Sequence, residues 1–157
     1  MEFPASVQRV LQTARKLGLE ITIHEMSQTT RTAEEAAETC RCEVGQIVKS
    51  LVFQGKDSGK PYLLLVSGRN RVNEKGMARY LGEKLTRPDA RQVRDWTSFA
   101  IGGIPPFGHS TPLATYIDRD LLEYEIVWAA AGTPFAVFPV EPEKLASALQ
   151  ADIIDVT

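Results

Sequence analysis

Lys49 is the first residue whose type and surroundings suggest chemistry. It follows Ile47 and Val48 and precedes the apolar run SLVFQ at 50–54, so it stands at an element boundary in largely apolar company. A lysine so placed either carries its ammonium out to water along its own stem or points it into a polar cleft. In a cleft it could hold a phosphate or a carbonyl oxygen, and loss of solvent would lower its pKa. The second candidate is GGIPPFGH at 102–109. Its glycines permit close backbone approach, while its prolines stiffen the chain and withhold N–H groups. Such a loop could present free N–H groups as an oxyanion hole, or serve only as a strained connection. His109 closes the loop and could be a general acid or base, or a hydrogen-bonded structural histidine. His24, on an expected strand, fits a pocket wall better than proton transfer.

Other chemistries find no support. GxSxG, the P-loop and the Rossmann fingerprint are all missing, which argues against a covalent serine nucleophile and against nucleotide-dependent catalysis. Cys40 and Cys42 flank Arg41, which could lower a thiol pKa. They also end an amphipathic segment, where cysteine packs as a small apolar group, and they read as two reduced thiols. His24, His109, Cys40 and Cys42 lack zinc-like spacing, so no metal is expected.

The elements that must position these residues alternate between helix and strand. Phe3, Val7, Val10, Ala14 and Leu17 fall at helical spacing, with Gly18 to end the helix. ITIHE (21–25) alternates as a strand. Thr32 and Glu35 make a capping-box pattern for a helix through Cys40. A short helical turn is expected over 46–49, then strands at 50–54 and 62–67 joined by a KDSGK turn. Helices are expected at 73–81, capped by Asn73 and stopped by Gly82, and at 88–96, with Pro88 in its first turn. Strands at 115–118, 125–131 and 135–140, a helix at 142–149 and a strand at 151–156 complete the reading. Hairpins dominate and no βαβ rhythm emerges. The class is therefore α+β, with a mixed, mainly antiparallel sheet flanked by helices.

Length and composition suit one globular domain of 157 residues, with 43% hydrophobic and 24% charged side chains. No apolar run reaches the roughly 18 residues of a membrane helix, so no membrane partner is expected. MEFPASVQRV lacks the marks of a signal peptide, which makes the cytoplasm the expected compartment. Net charge is −2, yet residues 69–94 hold eight basic side chains against three acidic ones. That segment is either a solvated pair of helices or a basic face for phosphates.

TAEEAAE (32–38), VGQIVKSLVF (44–53), VSGRNRVN (66–73), GGIPPFGH (102–109) and AGTPFAVFPVEPEKL (131–145) stand in an order and spacing that resemble the YbaK/ProX family. The resemblance covers about residues 20–156, within a single domain 1–157 that adds an N-terminal helix at about 3–17. It implies a partly curled, mainly antiparallel mixed sheet surrounded by helices, with a pocket at one end. It also implies a free-standing trans-editing hydrolase that cleaves the ester between a mischarged amino acid and the terminal adenosine of tRNA. Small amino acids such as cysteine or alanine, on tRNA-Pro or another tRNA, are the implied substrates. No cofactor is implied. The partners would be the aminoacylated acceptor end of tRNA and, since the family also occurs inserted in bacterial prolyl-tRNA synthetases, such a synthetase.

By the same resemblance, Lys49, Gly102, Gly103 and Pro106 would be the catalytic set, with water activated by the neighbouring ribose hydroxyl. His24, Thr30, Ser50, Ser67, Phe107, Gly108, His109 and Gly132 would contact substrate, and Arg69, Arg71, Lys75 and Arg79 the tRNA. Relatives with alanine specificity carry a histidine where this chain has Gly132, Thr133 and Pro134, and many relatives have leucine or glutamine at the position of His109. Two other readings stay open: an inactive tRNA- or synthetase-binding module, and a hydrolase of another small ester or amide.

Overall fold

Tyr62, Leu63, Leu64, Leu65 and Val66 show no polar alternation, the pattern of a strand covered on both faces. All five are buried in the computed structural model, which describes residues 3–157. The chain runs α1 (Ala5–Lys16), β1 (His24–Glu25), α2 (Ala33–Cys40), a 3-10 turn (Val44–Gln46), β2 (Val48–Gly55), β3 (Pro61–Ser67), α3 (Glu74–Leu81) and β4 (Leu85–Thr86). It continues through α4 (Ala90–Thr97), β5 (Ala114–Asp118), a second 3-10 segment (Arg119–Glu123), β6 (Val127–Ala130), β7 (Ala136–Val140), α5 (Pro142–Leu149) and β8 (Asp152–Ile154).

β3 is the middle of a five-stranded mixed sheet ordered β4-β2-β3-β5-β8. Its neighbour β2 is antiparallel, and β5 and β8 run parallel to it in turn. Leu63 and Leu65 enter one core with Val7 and Val10 of α1 and Leu145 of α5. Tyr62, Leu64 and Val66 enter another with Met77 of α3 and Ile154 of β8. Each such leucine contributes about 1.5–3 kcal/mol by leaving water. A second, antiparallel sheet is ordered β1-β7-β6. One parallel bridge, Ile47 to Trp128, joins the two sheets.

Several boundaries differ from the expectation. The turn expected over 46–49 lies earlier, because the Gln46 side chain accepts from the Glu43 N–H and Ile47 is already extended at ψ 130. Lys49 therefore belongs to a strand. Pro88 precedes the α4 cap, since Asp89 accepts from Gln92 N and takes the N-cap position itself. The strand expected over 21–25 shrinks to His24–Glu25, the two residues that pair with β7. Neither β4 nor the 3-10 segment after β5 was expected.

β4 pairs with only Gln54 and Gly55 of β2. Gly68 N donates to Ile47 O and Gly55 N to Lys60 O, so the odd-numbered residues of β2 bond to β3. The peptide groups of Ser50 and Val52 consequently face the outer edge, where no strand pairs with them. No helix is long and apolar enough to cross a membrane among the described residues.

Candidate functional site

That open edge of β2 forms one wall of a cleft of about 530 Å³. The remaining walls are the segment entering α2 (Thr30, Arg31, Glu34), the turn after β3 (Gly68 to Arg71), the loop at Ile101, Gly102 and Ile104, and β6 with Trp128. Lys49 reaches the cleft from β2, and its Nζ donates to the backbone carbonyl of Asn70. Burial pushes the Lys49 pKa down; Arg71 acts in the same direction, while Glu34 and Asp118 oppose it. Asn70 is in turn fixed from behind. Its side-chain amide donates to Asp118 Oδ2 at 2.8 Å and to Asp120 Oδ2 at 2.7 Å. Asp118, buried at the end of β5, also accepts from Ser67 N at 3.0 Å and from Asp120 N at 3.0 Å.

The facing loop is held by shape. Gly102 has φ +97, a conformation that favours glycine, and a Cβ there would lie 3.0 Å from Arg31 Cγ. A Cβ on Gly103 would stand 2.6 Å from the Thr133 Cα, a clash with backbone that could be relieved only by moving one of the two segments. Gly103 O accepts from Gly132 N at 2.9 Å, which ties the loop to the β6–β7 turn. Beyond Ile104 the loop dives into the core, where Phe107 tilts against Phe138 at 5.6 Å between ring centroids. His109 Nε2 donates to Pro105 O at 2.8 Å, and its ring meets Phe99 edge-on. Burial lowers its pKa to about 4, so the imidazole is neutral at pH 7 and acts as a hydrogen-bond donor.

Six of the residues singled out in the sequence line the cleft: Lys49, Gly102, Thr30, Ser50, Arg69 and Arg71. Ser50 Oγ is buried there without a hydrogen-bond partner. Thr30 is occupied in structure, both its N–H and its hydroxyl donating to Pro134 O. Arg69 is paired with Glu123 at 2.9 Å, whereas Arg71 is exposed. His24 stands just outside, edge-on to the wall residue Trp128 at 5.2 Å. Gly103 and Gly132 sit behind the loop and fix it.

The other residues singled out in the sequence lie outside the cleft lining. Ser67 is fully buried and its hydroxyl donates to Gly45 O at 2.7 Å, so it is not offered to a ligand. Pro106 and Phe107 are buried loop anchors, and Gly108 packs against Thr13 and Phe99. His109 is turned to Pro105 and Phe99 rather than to the cleft. Lys75 and Arg79 are exposed on α3, away from the cleft lining. Burial raises both thiols, Cys40 to about 11, against the lowering that Arg41 suggested. Among the described residues no group of three or more His, Cys, Asp or Glu side chains could hold a metal ion.

Arg31, Asn70, Trp128 and Asp118 went unmarked in the sequence reading. Arg31 carries only the weak signal of a basic residue before a helix cap, and the others depend on contacts between distant segments.

Comparison with known proteins bears on family and fold. Residues 27–148 match the family described as the aminoacyl-tRNA editing domain. The "Putative Cys-tRNA(Pro)/Cys-tRNA(Cys) deacylase EbsC" of Enterococcus faecalis is 25% identical over 126 residues, 80% of this chain and 76% of that protein. A proline–tRNA ligase of Limosilactobacillus fermentum is 34% identical over 94 residues, 57% of this chain but only 16% of the ligase. The crystal structure of "a putative trans-editing enzyme for prolyl tRNA synthetase" superposes with a TM-score of 0.92 at 44% identity, covering 99% of both chains.

Proposed function

The chain belongs to the aminoacyl-tRNA editing domain family, and we propose that it deacylates a mischarged tRNA in trans by using Lys49 and the 102–106 loop to position the ester. The observation that carries this reading is the placement of Lys49 and Gly102 in the lining of one cleft, with exposed Arg31 and Arg71 also lining it. Its volume of about 530 Å³ lies within the ordinary range for small-ligand sites. Val48, Ala129 and Ala130 offer an apolar recess for a small side chain. The lysine and arginines supply charge for the terminal phosphates.

Water adds to the acyl carbon, the bond from that carbon to the ribose oxygen breaks, and the ribose oxygen leaves with a proton. Free amino acid and tRNA result. An aminoacyl ester is already reactive, so proximity and stabilisation of the developing oxyanion supply the needed acceleration without a protein nucleophile. The neighbouring ribose hydroxyl activates the water, Gly102 backbone orients the carbonyl, and Lys49 holds the terminal nucleotide. Cysteine or alanine on tRNA-Pro is the proposed substrate; the name of the Enterococcus relative supports cysteine, and the likeness to a proline–tRNA ligase supports tRNA-Pro.

A panel of mischarged tRNAs that includes Cys-tRNA-Pro and Ala-tRNA-Pro tests the reading. Wild type should release amino acid from at least one, and Lys49→Ala should slow release by about 10²–10³-fold, the scale of losing one preorganised charge stabiliser. Unchanged turnover in Lys49→Ala would overturn the mechanism. Tight tRNA binding with no release from any member would favour the inactive binding module.

A further inference from the structure

We infer that Asp118 is a positioning residue for Lys49, acting through Asn70. This rests on the assignment of Lys49 to the reaction and extends it to a buried group with no place in the cleft lining. Asp118 is 2% exposed, and among the described residues it forms no ion pair. A buried carboxylate is costly unless hydrogen bonds and nearby positive charge compensate it. Here the compensation comes from three N–H donors: Ser67 N, Asp120 N and the Asn70 amide. Filling a gap in the core would need none of them.

The arrangement around Asn70 indicates what the carboxylate is for. An asparagine amide has two N–H groups, and here the nitrogen donates to both Asp118 and Asp120. Rotation of the side chain is thereby blocked. The backbone carbonyl of the same residue is the acceptor for Lys49 Nζ. The turn after β3 therefore presents one oxygen at one place, and the ammonium is aimed across the cleft rather than free to swing on its four-carbon stem. Carboxylates that hold a group which in turn holds the reacting group set its orientation and its charge together.

Charge points the same way. The groups acting on Lys49 are Glu34 from α2, Arg71 from the turn after β3, and Asp118 from β5. Burial and Arg71 favour the neutral amine, and Asp118 helps Glu34 to oppose them. Removal of the carboxylate should both loosen the lysine and make it easier to deprotonate.

The test is an NMR titration of the lysine side-chain 13Cε and 15Nζ signals in the full-length protein, with the Lys49 signal identified by its loss in Lys49→Ala. Asp118→Asn should lower the Lys49 pKa and reduce kcat by about 10-fold, the scale of a displaced catalytic group, with KM changed by less than about 2-fold. Asp120→Asn, which takes the charge from one Asn70 acceptor at a less buried position, should move both readouts in the same direction by less. It keeps the inference open to refutation if Asp118→Asn does not fold. Ser67→Ala is the structural control: it removes the buried bond to Gly45 and should lower Tm without moving the Lys49 titration. Folded Asp118→Asn or Asp120→Asn protein with wild-type Lys49 titration and kcat would overturn the inference, as would loss of Tm alone. The titration needs no tRNA, so its outcome stands apart from whether the protein deacylates.

Discussion

On the Lys49 side of the cleft, position is set by hydrogen bonds that end on carboxylates; on the Gly102 side it is set by contact. The first wall depends on Asn70 held between Asp118 and Asp120. The second depends on a missing Cβ against Thr133 and on rings packed in the core. A polar wall can be tuned by charge and pH, and it fails gradually as single donors are lost. A packed wall has little room for adjustment, so a single methyl group is enough to displace it. Under the proposed function, a site that positions an ester gains from having one of each. The lysine must match a charged, variable partner, while the loop needs only to stay where it is.

The sharpest way to break the contrast is Gly103→Ala. Its Cβ would stand 2.6 Å from Thr133 Cα, so the loop or the β6–β7 turn must move. The expected outcome is a stability loss of about 3 kcal/mol in denaturant melts, together with loss of deacylation. Near-normal stability and turnover would mean that the loop is softer than its packing indicates.

Next in size is His109, the one titrating group that pins the packed wall. Its ring stays neutral in the folded protein down to about pH 4, but in the unfolded chain it takes a proton below its ordinary value of 6.5. Protons thus favour the unfolded chain within that window, and stability falls as pH drops from 6.5 towards 4. Because the residue is partly exposed, about 2 kcal/mol is the expected scale. Comparing wild type with His109→Gln, which keeps a donor for Pro105 O, should isolate this slope as the part missing from the variant.

The smallest effect belongs to the rim. Arg71→Ala should weaken tRNA binding several-fold at low salt and reduce the log–log salt slope by about 0.7–0.9, the share of one phosphate contact. Lys75→Ala, on α3 away from the cleft lining, should change that slope less. Equal changes would mean that the tRNA lies across α3 rather than into the cleft.

What could be read from the sequence followed the range of the interactions. α5 was expected over 142–149 and is found at Pro142–Leu149, because proline at its start and apolar spacing within it are local signals. The β2–β3 hairpin was legible for the same reason. Lys49 was identified as a residue but misplaced by one element, since the turn before it ends at Gln46 by a side-chain bond that also suits a longer helical turn. Ser67 entered the expected site through the family resemblance, and His109 through that and its place at the end of a glycine-rich loop; only tertiary contacts reveal that Gly45 and Pro105 already hold them. The Asn70–Asp118 contact spans 48 residues, and nothing local distinguishes that aspartate from its neighbours.

The unpaired edge of β2 carries one more consequence. Exposed strand edges invite pairing with other chains and so lead to aggregation. From Ser50 to Phe53 this edge lacks a partner strand, and Lys49, Arg31 and Arg71 line the cleft beside it. Under the proposed function, charges that hold a phosphate-bearing substrate would also act as gatekeepers against fibril-like association. Variants that neutralise the cleft to abolish turnover would at the same time remove that protection, and their solubility would fall along with their activity.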